Sequence, residues 1–210
     1  MGDKLLKVNK IIYLFILAVY FLLNQASYSN SHDNNINDVY EHLRNKQFSE
    51  AISELKKLSE NNKPKAQLLY AKILYSGEIT TQDFEMSYFW ANTSKLGGLK
   101  KSSNILDKLN NLIDDENKIK INEKIKIFLR NLALSGNKLA IVQIAKWNLE
   151  LSTEQNFENA YKWYNIAVAL GIKSARTKRD EMINSIDNQR LFEIQKESTK
   201  IFNKITNVGG

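Results

Sequence analysis

The sequence predicts an all-α chain: a right-handed α-solenoid of about four helix-turn-helix repeats with a C-terminal helical cap. Three observations predict it. The first is a recurring constellation. Counting from Gly98, Gly136 and Gly171, an aromatic residue lies eight positions earlier (Trp90, Phe128, Trp163). Eleven positions earlier stand Ser87, Ile125 and Ala160, and four positions later Ser102, Ala140 and Ala175. The glycines are 38 and 35 residues apart, and a fainter copy keeps the spacing with Phe48, Ala51, Asn62 and Ala66. That period belongs to stacked helical hairpins. The second observation is composition. There is one proline, Pro64, with few glycines, and leucine, isoleucine, lysine and asparagine dominate. The third is periodicity, with apolar residues at three- and four-residue steps through most of the chain.

Each repeated position has a physical reason. Glycine or asparagine just past a helix takes the left-handed backbone that closes the last turn. A small residue four later lets the next helix begin close to its neighbour. The aromatic fills the gap between paired helices with a large apolar surface. The small residue three before it sits on the same face, one turn away.

The residues Ala66, Tyr70-Ala71, Tyr75, Gly77, Asp83-Phe84, Ser87, Trp90, Gly98 and Ser102 resemble a Sel-one-like repeat, a branch of the tetratricopeptide superfamily. The copy with Ala160, Trp163-Tyr164, Ala167, Gly171 and Ala175 is similar. The resemblance spans roughly 36–175 and implies an exported bacterial adaptor that works in complexes. Two departures predict a less regular superhelix. Ile125 replaces a small residue, and Leu151 stands where an inter-helix glycine is expected.

In chain order, Lys4, Lys7 and Lys10 precede an uncharged apolar run, Ile11–Leu23, and then polar, small residues. This is the tripartite pattern of a signal peptide, 1–29, with a cut after Ala26 or near Ser27-Tyr28-Ser29. The alternative is an uncleaved anchor, although a bilayer span needs about 20 apolar residues. The expected location is therefore periplasmic or secreted, or else tethered to the inner membrane by 1–29. No cysteine follows the run, which excludes a bacterial lipid anchor there. With no cysteine anywhere, the core alone must hold the fold.

A polar linker, 30–35, leads to the repeat domain, 36–175. Ile36–Asn45 reads as a short helix and Phe48–Ser59 as an amphipathic one, stopped by Asn61-Asn62-Lys63-Pro64. Ala66–Tyr75 is apolar on most sides, as expected of a helix packed on more than one face. Thr80 with Asp83 is the expected cap of the helix running to Gly97-Gly98. Ser102–Ile113 reads as the next helix. Asp114-Asp115-Glu116 then opens one that ends at Gly136, since acids favour the positive end of the dipole. Leu139–Leu151 follows, and Ser152 with Gln155 is the expected cap of Asn156–Leu170. Residues 176–206 carry two capping helices, the first reaching Asp187, and 207–210 form a disordered tail.

The sequence offers little for chemistry. His32 and His42 are its two histidines, and no spacing supports a metal site or a catalytic triad. The densest acids, Asp114–Glu116 and Asp180-Glu181, sit at helix ends, where adjacent carboxylates point apart and meet water. No glycine-rich phosphate loop is present. The net charge of +7, including Lys118, Lys120, Lys124, Lys126 and Arg130, reads as solvated surface. Neither a cofactor, a metal nor nucleic acid is expected as a partner. Membrane contact is expected only through 1–29, and only if that segment is retained. The functional expectation is a non-catalytic adaptor holding a protein or peptide in a groove lined by the first helix of each hairpin. Candidate partner-binding residues are Gln67, Lys72, Tyr75, Gln143, Lys146 and Asn148. The alternative is an envelope hydrolase acting on wall polymer.

Overall fold

The computed structural model describes residues 36–208. The expected signal segment 1–29, the linker 30–35 and residues 209–210 lie outside them, as does His32. Among the described residues all regular structure is helical. The helices are α1 (Ile36–Arg44), α2 (Phe48–Glu60), α3 (Pro64–Ser76), α4 (Phe84–Leu96), α5 (Ser103–Leu109), α6 (Asp115–Leu134), α7 (Lys138–Glu150), α8 (Phe157–Ala169), α9 (Ala175–Ile183) and α10 (Asn188–Val208). A 3-10 turn, Lys100–Ser102, precedes α5. Most consecutive helices pack on one another along the chain, as in an α-solenoid; the pairs α5–α6 and α9–α10 are the exceptions. No described helix is long and apolar enough to cross a membrane.

The repeated positions do what their chemistry requires. Asn62, Gly98, Gly136 and Gly171 all adopt positive φ, at 58°, 96°, 89° and 86°. Asparagine therefore fills the glycine slot in the first copy with the same backbone. Ala51, Ser87, Ile125 and Ala160 are fully buried, as are Ser102 and Ala140, while Ala66 and Ala175 are nearly so. Trp90 and Trp163 are buried, and Phe128 is half-buried against the same core. The Phe128 ring meets Trp90 edge-on at 5.6 Å and Phe89 at 5.6 Å, which joins successive repeats through aromatic contact.

The third repeat is where regularity fails. The expected helix over Ser102–Ile113 is shorter, ending at Leu109, although Ile113 stays buried. Asp114 must take extended backbone to cap α6, accepting from the Asn117 N–H at 2.9 Å, so the chain cannot remain helical into it. Helices α5 and α6 both rest on α4 more than on each other. Two turns of α5 offer little surface, and Ile125 occupies the place where a small side chain permits close approach. The last pair behaves alike, α9 and α10 each packing on α8. There the expected helix to Asp187 ends at Ile183.

Two expected caps are corrected. Asp83 itself accepts from the Met86 N–H, and Asn156 from the Asn159 N–H; Thr80, Ser152 and Gln155 do not cap. The cap must sit directly before the first helical residue, and both helices start at a phenylalanine, Phe84 and Phe157. Helix α10 also extends into the expected tail, reaching Val208.

Helix α3 packs on two faces, as its pattern predicts. Ala66 and Ile73 join α1 and α2 in one cluster, while Leu68, Ala71 and Leu74 enter the main core. Helix α4 is buried almost throughout, polar residues included. Two of its small hydroxyls are satisfied by the backbone of α3: Ser87 Oγ donates to the Ala71 carbonyl at 2.7 Å and Ser94 Oγ to the Pro64 carbonyl at 2.7 Å.

Helix α10 is fastened to α8 by charge as well as by buried Ile194. Arg190 reaches Glu158 at 2.9 Å, Glu193 at 2.8 Å and Glu197 at 3.2 Å, and Lys162 reaches Glu197 at 2.8 Å. The Lys162 ammonium, with Arg190 beside it, holds the Glu197 carboxyl below the usual glutamate range. A depressed folded-state pKa adds stability above the ordinary glutamate value and loses it as pH falls through the folded value. Glu197→Gln is therefore expected to lower stability at neutral pH by under about 1 kcal/mol, because the pair is partly exposed and screened. Thermal unfolding of the two proteins should converge as the pH drops through and below the glutamate range.

Candidate functional site

A cleft of about 540 Å³ opens on the first-helix side of the leading repeats. It is lined by Tyr40 of α1, by Lys65, Leu68, Leu69 and Lys72 of α3, and by Gly98, Leu99, Lys100 and Lys101 of the turn into α5. The helical period explains the α3 contribution: positions 65, 68, 69 and 72 share one face. The positive φ of Gly98 swings Leu99 and the two lysines across from that face. The result is an apolar floor under a rim of four lysines, with no carboxylate among the lining residues. Tyr40, one of the most exposed large apolar side chains, stands at its edge.

Three of the four lysines of α6 differ from those of the cleft. On α6, Lys118 pairs with Asp115 at 3.0 Å, Lys120 with Glu116 at 2.6 Å and Lys126 with Glu123 at 3.2 Å. Lys126 also lies 4.6 Å from the centre of the Trp147 ring. Among the described residues, no carboxylate stands within ion-pair distance of Lys65, Lys72, Lys100 or Lys101. Four like charges around one concavity repel each other and remain available to an anionic ligand.

The six residues expected to bind a partner divide sharply. Lys72 lies on the rim of the cleft. Tyr75 is half-buried, its ring 5.7 Å from Phe84 with the Lys108 ammonium 5.6 Å from its centre. Lys146 donates to the Leu96 carbonyl at 3.0 Å, tying α7 to the end of α4. Gln67, Gln143 and Asn148 are buried and must be removed from any binding surface. Asn148 turns back on its own helix, donating to the Ile144 carbonyl at 2.6 Å. The two glutamines belong to a polar junction inside the molecule. Asn62 Nδ2 donates to Gln143 Oε1 at 2.7 Å, Gln143 Nε2 to the Thr93 carbonyl at 2.9 Å, and Gln67 Nε2 to Asn62 Oδ1 at 3.2 Å. Asn137, the cap of α7, accepts from Asn62 at 3.3 Å. Beside it, a Cβ on Gly97 would come within 2.6 Å of Pro64 Cγ and 3.1 Å of Gln143 Nε2. The junction thus needs the bare backbone of glycine there.

Sequence reasoning missed Lys65, Lys100, Lys101 and the leucine floor. The α3 part was legible as a lysine–leucine–leucine–lysine stripe at helical spacing. The turn residues had no such signal, because only the packed hairpins bring them opposite α3.

The acids considered for catalysis are occupied in local roles. Asp114 caps α6, with the Asn117 N–H holding its carboxyl below the usual range. Asp115 and Glu116 pair with lysines one turn on. Asp180 pairs with Arg179 and Glu181 with Lys178, each at 2.7 Å. His42 Nδ1 is 2.9 Å from Gln47 Oε1. Among the described residues no cluster of histidine and carboxylate side chains has metal-binding geometry.

No protein-family model matches the chain, and no curated protein does. Among solved structures it is similar to a protective antigen of uropathogenic Escherichia coli strains displaying an SLR fold. Identity is 16%, with a TM-score of 0.36, over 74% of this chain and 41% of that one. The chain thus spans about two fifths of that structure's length.

Proposed function

We propose that the protein is a non-catalytic binding module of the bacterial envelope that holds a segment of another protein in the cleft of its first three repeats. The observation that carries this is the cleft itself: an apolar floor and an open rim of cations between α1, α3 and the turn into α5. Stacked hairpins present such surfaces without moving parts. The repertoire of roles found for the candidate acids, capping and ion pairing, supports binding over hydrolysis. The envelope location rests on the tripartite pattern of 1–29, and the mass of the mature protein tests whether that segment is removed.

The binding reading is tested by placing a photo-activatable amino acid at Leu69, on the floor, and separately at exposed Lys124 of α6. Irradiation in the native envelope is expected to join a partner polypeptide to the Leu69 position alone. Equal adducts from both sites, or none from Leu69, would refute it. Loss of function on neutralising Asp114–Glu116 and Asp180-Glu181 in a variant that still folds would favour the hydrolase.

A further inference from the structure

The chemistry of the cleft selects among polypeptides, and this step rests on the binding reading above. Four cations and no acid line the cleft, so the charge it presents to a ligand is of one sign. Lysines are flexible point charges rather than rigid forks. They select the sign of charge without fixing one ligand geometry, unlike the few precisely placed polar groups of a small-molecule pocket. The floor makes a second demand. Leu68, Leu69 and Leu99 form a concavity that an apolar side chain can fill. A nucleic-acid backbone brings anions but no such side chain, and a bilayer surface is too flat to enter a cleft. An acidic amphipathic peptide brings both, at the spacing of successive residues.

We propose that the cleft receives an acidic, leucine-like segment of the partner, its apolar side chains on the leucine floor and its aspartate or glutamate carboxylates against Lys65, Lys72, Lys100 and Lys101.

The test uses the full chain and three labelled synthetic peptides that alternate leucine with glutamate, glutamine or lysine, followed by fluorescence anisotropy. The glutamate peptide is expected to bind at least about tenfold more tightly than the glutamine one. The advantage should shrink as salt is raised, since exposed charges are screened. Lys100→Glu with Lys101→Glu, both on an exposed turn, cancels the net charge of the rim and should abolish the preference for the glutamate peptide. Retained affinity for the glutamine peptide shows that this loss does not come from unfolding. Equal binding of the glutamate and glutamine peptides would overturn the acidic assignment and leave the binding reading intact. Binding of none would overturn both. Binding to phosphatidylglycerol vesicles with no affinity for the glutamate peptide would assign the cations to a membrane surface instead.

Discussion

Trp90→Ala is expected to destabilise the protein by about 3–5 kcal/mol. The side chain is 4% exposed and lies at the meeting of three helices. Tyr70 of α3 approaches it at 6.1 Å, Phe89 of its own helix at 4.8 Å, and Phe128 of α6 at 5.6 Å. Truncation removes the transfer energy of a large ring and leaves a cavity that three stiff aromatics cannot collapse to fill. The loss would take a large share of a typical domain's stability, about 5–15 kcal/mol. Trp90→Phe should lose much less. It keeps a ring in the gap and deletes a buried indole N–H that has no acceptor among the described residues. Chemical denaturation of both variants checks this. A loss below about 1 kcal/mol for the alanine variant would mean that the ring does not wedge the repeats apart.

Asn62→Ala is expected to lose about 2–5 kcal/mol, from two separable causes. A β-carbon without a compensating polar group pays about 1–2 kcal/mol to hold φ at 58°. The substitution also strips Gln143 Oε1 of its buried donor and Gln67 of one acceptor, an unsatisfied-group penalty of about 1–3 kcal/mol. Asn62→Gly relieves the backbone part alone, so it should recover about 1–2 kcal/mol and no more. Full recovery with glycine would show that the polar junction contributes nothing. Lys72→Ala, an exposed side chain on the cleft rim, serves as the control and should stay within about 0.5 kcal/mol.

Asn62 also marks how far the sequence could be read. Its place in the repeat announced a left-handed turn residue, and the backbone agrees. Why asparagine stands there was not legible, because its partner Gln143 is 81 residues away and joins it only when α7 packs beside the turn between α2 and α3. The same blindness misplaced Gln67, Gln143 and Asn148 on an exposed groove. Polarity at a helical position does not tell water from a buried acceptor, and these amides chose the acceptor. Lys72 was correctly placed at an open surface, but its neighbours Lys100 and Lys101 were not connected to it.

The local chemistry of the chain was enough to determine the helices and their left-handed closures, because those depend on residues within one or two turns of each other, and the period of the repeat marked the small and aromatic positions that meet between helices. Packing alone decided that a set of amides becomes core and that four lysines from two distant segments surround one cleft; Ile125 had announced an irregular third repeat, and packing decided that its form is α5 and α6 both resting on α4. Those outcomes depend on which surfaces meet, and short-range periodicity carries no record of that.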